Sequence, residues 1–131
     1  MQVLRLKRLH YAVGFFLWLA VIFWSASQPG SGESQAISGL DKIQHFVAYG
    51  VLAFLLAKAI YRYYGWSSMV VIVLAVVLIG VCDELYQATI VNRTSSLFDV
   101  VADGVGAVAG FILAWVIQIT TRGKQSESIT R

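Results

Sequence analysis

The chain has 131 residues, enough for one domain, and is 58% hydrophobic and 13% charged with a mean hydropathy of +0.72, which excludes an ordinary water-soluble domain. Its formal charge of +3 and pI near 9.2 would suit nucleic acid. The basic residues are nevertheless scattered beside apolar runs, with no basic face and no nucleic-acid-binding motif, so no nucleic-acid partner is expected.

An N-terminal arm with Arg5, Lys7 and Arg8 precedes a first apolar span at residues 10–27. That is long enough for a bilayer core, which takes roughly 17–25 helical residues. A cleavable signal peptide is the rival reading, because a basic start and the small residues Ser25-Ala26-Ser27 fit one. The run, with Trp18 and Trp24, is longer than the ~7–15 residues usual for the apolar part of such a signal. Gln28-Pro29-Gly30-Ser31-Gly32-Glu33-Ser34 reads as a connecting loop.

The second span covers residues 40–61, with Ser38 or Asp41 placed to cap it and Lys58, Arg62, Tyr63, Tyr64 and Trp66 forming an interfacial end. Gly65-Trp66-Ser67-Ser68 reads as a tight turn before a third span at 69–90. Cys82, the lone cysteine, can form no intrachain disulfide and reads as a small packed hydrophobe. Val91-Asn92-Arg93-Thr94-Ser95-Ser96 is the next turn, and its Asn-Arg-Thr sequon lies too near the membrane to count. The fourth span is 97–119, followed by a polar, disordered cytoplasmic tail at 121–131.

The expected architecture is all-α: one domain over residues 1–120, a polytopic membrane protein of four transmembrane helices with short loops. Eight of the ten basic residues then fall on the side of the termini, so the positive-inside rule puts both termini in the cytoplasm. The other two, Lys42 and Arg93, lie on the outer side beside acidic residues.

Those acidic residues form the candidate site. Asp41, His45 and Tyr49 step by four along the second span, as do Asp83 and Gln87 on the third and Asp99 and Asp103 on the fourth, so each set lies on one helical stripe. At about 1.5 Å rise per residue, all of them, with Glu84, fall in the outer slab of the membrane. The apolar residues from Met69 to Val81 supply about −4 to −6 kcal/mol of insertion energy, which two central carboxylates costing about +5 to +7 would cancel. Asp83 and Glu84 therefore face the bundle interior, near Lys42, His45 or Arg93, or are protonated.

A plain structural alternative is interhelical hydrogen bonding at ~0.6 kcal/mol per contact. It accounts poorly for five carboxylates against two cations, a formal −3 with His45 neutral. His45, Asp83 and Glu84 are the candidate acid/base groups. His with carboxylates also suits a divalent metal, but no HExxH or paired-Cys spacing is present; no cofactor is expected, and a metal is the lesser alternative. Ala102, Gly106, Gly110 and Ala114 form a small-residue ridge for close packing within the bundle, with a homo-oligomer through Gly106 and Gly110 as the other use. Phe15, Phe16, Trp18, Phe23, Trp24 and Trp115 read as lipid-facing or interfacial.

Three blocks, Asp41-Lys42-x-x-His45-x-x-x-Tyr49, Asp83-Glu84-x-x-Gln87 and Arg93-x-x-Ser96-x-x-Asp99 followed by Gly106 and Gly110, resemble the VanZ-like family of small bacterial membrane proteins in kind and order. The chain departs from that family at Asp103, where Asn is usual, and at Val91-Asn92, where Pro-Gly often precedes the Arg. The resemblance implies a multi-pass protein of the bacterial cytoplasmic membrane. Its namesake is associated with reduced susceptibility to the glycopeptide teicoplanin. The reading that follows is a pocket of Asp41, Lys42, His45, Tyr49, Asp83, Glu84, Gln87, Arg93, Asp99 and Asp103 that binds or processes a membrane lipid or cell-envelope precursor. An acid/base or metal-assisted hydrolase or transferase, and a proton- or ion-coupled transporter, are the alternatives.

Overall fold

The computed structural model describes residues 2–30, 38–60, 64–93 and 95–129, with side chains for 5–30, 39–60, 64–93 and 95–123. Loop residues 31–34, the Ser38 cap, Arg62, Tyr63, Thr94 of the sequon and the side chains of Lys124 and Arg131 lie outside these.

Four helices account for the fold: α1 (Gln2–Ala26), α2 (Ser38–Ile60), α3 (Trp66–Gln87) and α4 (Leu97–Ile129), with no strand among the described residues. Each contains a stretch long and apolar enough to cross a membrane. The large side chains that point outward are apolar: Leu74, Leu78 and Leu85 of α3 are 58%, 65% and 67% exposed. A largely apolar exterior of this kind is stable in lipid and would aggregate in water.

Close backbone approach sets the arrangement. α2 and α4 form the most intimate pair because glycines meet across it: a Cβ on Gly106 would strike the backbone of Phe46, and one on Gly110 the backbone of Gly50. The small-residue ridge is thus used inside the chain, against α2, as van der Waals packing between membrane helices requires. Below that contact, Leu52, Ala53, Ala57, Ile72, Val76, Ala107, Phe111 and Ala114 fill the core. α2 and α4 run parallel and α3 antiparallel to both, so the start of α2, the end of α3 and the start of α4 share one end of the bundle. α1 lies along α2, held by the Trp18 indole N–H donating to the Ala48 carbonyl at 2.8 Å and by Arg8 donating to the Ala59 and Ile60 carbonyls at 2.8 and 2.7 Å.

Four local expectations change. Residues 66–68 are helical, not a turn: Ser68 Oγ accepts the Gly65 N–H and donates to the Gly65 carbonyl, satisfying groups left open at a helix start. α4 continues to Ile129 where a disordered tail is expected from Thr120, since the only proline of the chain is Pro29 and nothing breaks the helix; the Thr120 and Thr121 hydroxyls return to the Val116 and Ile117 carbonyls. Phe15 is buried in the core and Trp18 half-buried, because α1 turns them toward α2 and not toward lipid. Cys82 is exposed and not packed, lying on the outward face of α3.

Candidate functional site

At the shared end of the bundle the apolar core gives way to a polar layer. Seven of the ten candidate side chains lie at a spacing of four on α2, α3 and α4, and the packing of α2 against α3 and α4 brings the stripes face to face. His45, Tyr49, Asp83, Glu84, Gln87, Asp99 and Asp103 are all buried. Lys42 and Arg93 are half-buried and Asp41 is exposed at the rim.

One line of hydrogen bonds runs from the α3–α4 turn into the core. Arg93 Nη1 donates to Gln87 Oε1 at 2.7 Å, which turns the Gln87 amide nitrogen toward Asp83; Gln87 Nε2 donates to Asp83 Oδ2 at 3.0 Å, and Tyr49 Oη donates to the same oxygen at 2.9 Å. Arg93 also donates to the Ser25 and Gln28 carbonyls at 2.9 and 3.2 Å, so the end of α1 is pinned to the site. The Gly30 N–H donates to the Val91 carbonyl beside it. Asn92 adopts a left-handed conformation, φ 59°. Asn is the non-glycine residue best suited to it.

The second line centres on His45. Its Nδ1 lies 3.0 Å from Asp103 Oδ1, its Nε2 lies 3.7 Å from Glu84 Oε1, and its ring stacks on Tyr49. Glu84 Oε2 accepts the Ser96 backbone N–H at 2.6 Å, fastening the end of α3 to the start of α4. Ser96 contributes its backbone to this contact. Lys42 Nζ lies 3.4 Å from Asp99 Oδ1 at the rim.

All ten candidate residues therefore lie at this one end of the bundle, with Asp41 at its exposed rim. Four buried carboxylate oxygens in the polar layer, Asp83 Oδ1, Glu84 Oε1, Asp99 Oδ1 and Asp103 Oδ2, have no hydrogen-bond partner, the third having the Lys42 ammonium beside it. Buried acceptors left open in this way are costly, and each calls for an explanation. Beside Glu84 the layer meets an open groove between α3 and α4, walled by Val81, Leu85, Leu97 and Val100 with Ser95 and Ser96 at its polar end.

Two features escaped sequence reasoning. Gly80 is buried because a Cβ there would collide with the Asp103 carboxylate; the only hint is a glycine in a run otherwise of Val, Leu and Ile. The carbonyls of Ser25 and Gln28 carry no side-chain signal at all.

Residues 9–118 match the VanZ/LLP1 family, a stretch that enters all four helices and includes every candidate site residue. No curated protein and no solved structure matches the chain. With four apolar helices and a match over most of its length, this multi-pass membrane protein belongs to the VanZ/LLP1 family.

Proposed function

We propose that the protein binds the polar head of a membrane lipid or lipid-linked cell-envelope precursor in its buried acidic layer, with the apolar part of the ligand lying between α3 and α4. The observation that carries this reading is the juxtaposition at Glu84: a buried carboxylate with an open oxygen borders a groove that is apolar along Val81, Leu85, Leu97 and Val100 and polar at Ser95 and Ser96. An amphiphile matches both halves of that surface. The protein resides in the bacterial cytoplasmic membrane with both termini cytoplasmic and the site in the outer half, where the positive-inside rule puts this end of the bundle. The link of the family name to glycopeptide resistance makes an altered response to teicoplanin-like antibiotics the phenotype to examine.

The test is lipid extraction and mass spectrometry of purified protein, beside complementation of a deletion strain. Wild-type protein retains a discrete lipid species that Glu84→Gln and Asp83→Asn lose, and neither variant restores the envelope phenotypes of the deletion strain. Full complementation by both variants would sink the proposal.

A second reading, acid/base processing of that ligand, is favoured by the position of the His45 ring between the Asp103 and Glu84 carboxylates. A proton carrier held between two carboxylates is suited to general acid/base work. Turnover of labelled envelope lipids by wild-type protein, absent in His45→Gln, distinguishes it from binding alone.

A further inference from the structure

The polar layer holds more negative charge than its cations balance, and its geometry indicates where the balancing charge sits. His45 Nδ1 is taken by Asp103, which leaves Nε2 as the free edge of the ring. Facing that edge at 3.7 Å is Glu84 Oε1, buried and without a hydrogen bond. This separation is too long for a hydrogen bond, which would close to about 2.7–3.0 Å. It is close to the spacing of about 3–3.5 Å between two ligands on one cation with metal–ligand bonds of about 2.0–2.2 Å. On the rim side, donor atoms of Asp41, His45 and Asp99 lie within 4.8 Å of one another. Asp99 is 2% exposed, and its Oδ1 is a second buried carboxylate oxygen lacking a hydrogen bond.

We propose that His45, Asp99 and Asp41 bind a divalent transition-metal cation, that Glu84, whose open oxygen faces His45 Nε2, borders the site, and that Asp103 is a positioning residue that fixes the imidazole through Nδ1. One nitrogen and two carboxylate oxygens, with a position left open, suit Zn²⁺ or Mn²⁺ better than Ca²⁺, which takes six to eight oxygens. A metal-bound histidine whose second nitrogen is held by a carboxylate is the usual arrangement in metal sites. Asp41 lies at the exposed rim, giving the ion a path from the aqueous side. Lys42, 3.4 Å from Asp99 Oδ1, supplies a cation at the edge of the same carboxylate and competes with the metal for it. This assignment does not depend on a lipid occupying the α3–α4 groove.

The experiment uses full-length, tag-free protein in detergent without added lipid, stripped with chelator and titrated with Zn²⁺ and with Mn²⁺. Stoichiometry is read by calorimetry and by metal analysis after desalting. His10, the other histidine of the chain, is replaced by Ala throughout. The expected result is one ion per chain. Affinity falls at least 100-fold in Asp99→Asn and His45→Gln, about 10-fold in the surface variant Asp41→Asn and in Asp103→Asn, and rises several-fold in Lys42→Gln. Asp41→Asn and Lys42→Gln sit at the rim and keep the test decisive if a buried variant fails to fold. Absence of stoichiometric binding at about 100 µM metal, a concentration at which only the weak extracellular class of Ca²⁺ sites is still unfilled, or binding indifferent to Asp41→Asn and Lys42→Gln, would overturn the proposal. Metal binding without a retained lipid, or the reverse, separates this assignment from lipid binding.

Discussion

His45 Nδ1 and Asp103 Oδ1, 3.0 Å apart, join α2 to α4 in the middle of the charged layer. The pair is enclosed: His45 is 8% exposed and Asp103 is 0% exposed. Asp103 also carries an open oxygen, Oδ2, amid the other buried carboxylates. Asp103→Asn retains an acceptor for the imidazole and removes one of these like charges. The metal-free variant should be more stable than wild type, by on the order of 1 kcal/mol, because unpaired buried charge is what destabilises such clusters. Asp103→Ala should go the other way by about 1–3 kcal/mol, since it strands the imidazole N–H. Thermal unfolding in detergent after chelation checks both signs.

Tyr49 makes a separable contribution. Its hydroxyl is one of two donors to Asp83 Oδ2, the other being Gln87, while Asp83 Oδ1 has no donor. Tyr49→Phe preserves the ring stacked on His45 and deletes the donor alone. A destabilisation of about 1–3 kcal/mol is expected, the cost of leaving a buried charged acceptor short of a partner. A double-mutant cycle of Tyr49→Phe with Asp83→Asn should recover most of it as coupling; additive effects would show that the contact contributes little.

How much of this was legible before the structure depends on what kind of information each residue carries. The stripes on α2, α3 and α4 follow from a spacing of four, and their common depth from helical rise, so the candidate residues could be grouped at one end of the bundle without knowing how helices pack. Which atom meets which could not: the choice of Asp103 for His45 is made by α2 and α4 touching at Gly50, Gly106 and Gly110, and that of Asp83 for Tyr49 by how α3 packs against α2. Composition also misreads faces when a helix is apolar all round, as with Phe15 and Trp18, because lipid and protein core attract the same side chains. The participation of α1 rests on main-chain carbonyls, which every residue has, so no residue type announces it.

Arg93 gives that participation a test. Its guanidinium reaches Gln87, Ser25 and Gln28 at once, using three nitrogens. A lysine has a single ammonium and cannot reproduce this fork. Both Arg93→Ala and Arg93→Lys should therefore loosen the end of α1, seen as at least 10-fold faster amide hydrogen exchange over residues 24–30, with the part of α1 up to Trp18, which is held by Arg8 and Trp18, unchanged. Equal protection in Arg93→Lys and wild type would mean that charge, not the forked geometry, holds the contact.

Gly110 offers the sharpest check on how the helices meet. A methyl group there would run into the backbone of Gly50, which cannot yield as a flexible side chain can. Gly110→Ala must push α4 from α2 or be accommodated by strain, costing about 1–3 kcal/mol as overpacking does. Gly123→Ala, further along the same helix with nothing within 4 Å of an added Cβ, is the control for helix propensity and should be neutral or slightly stabilising. The displacement has a functional corollary, because Asp103 lies two turns before Gly110 and must follow α4. Gly110→Ala should therefore weaken the His45–Asp103 contact without touching it, lowering Zn²⁺ affinity while Gly123→Ala leaves it unchanged. Calorimetric titration of the two variants side by side reads this out, and identical affinities would show that the site tolerates a shift of α4 against α2.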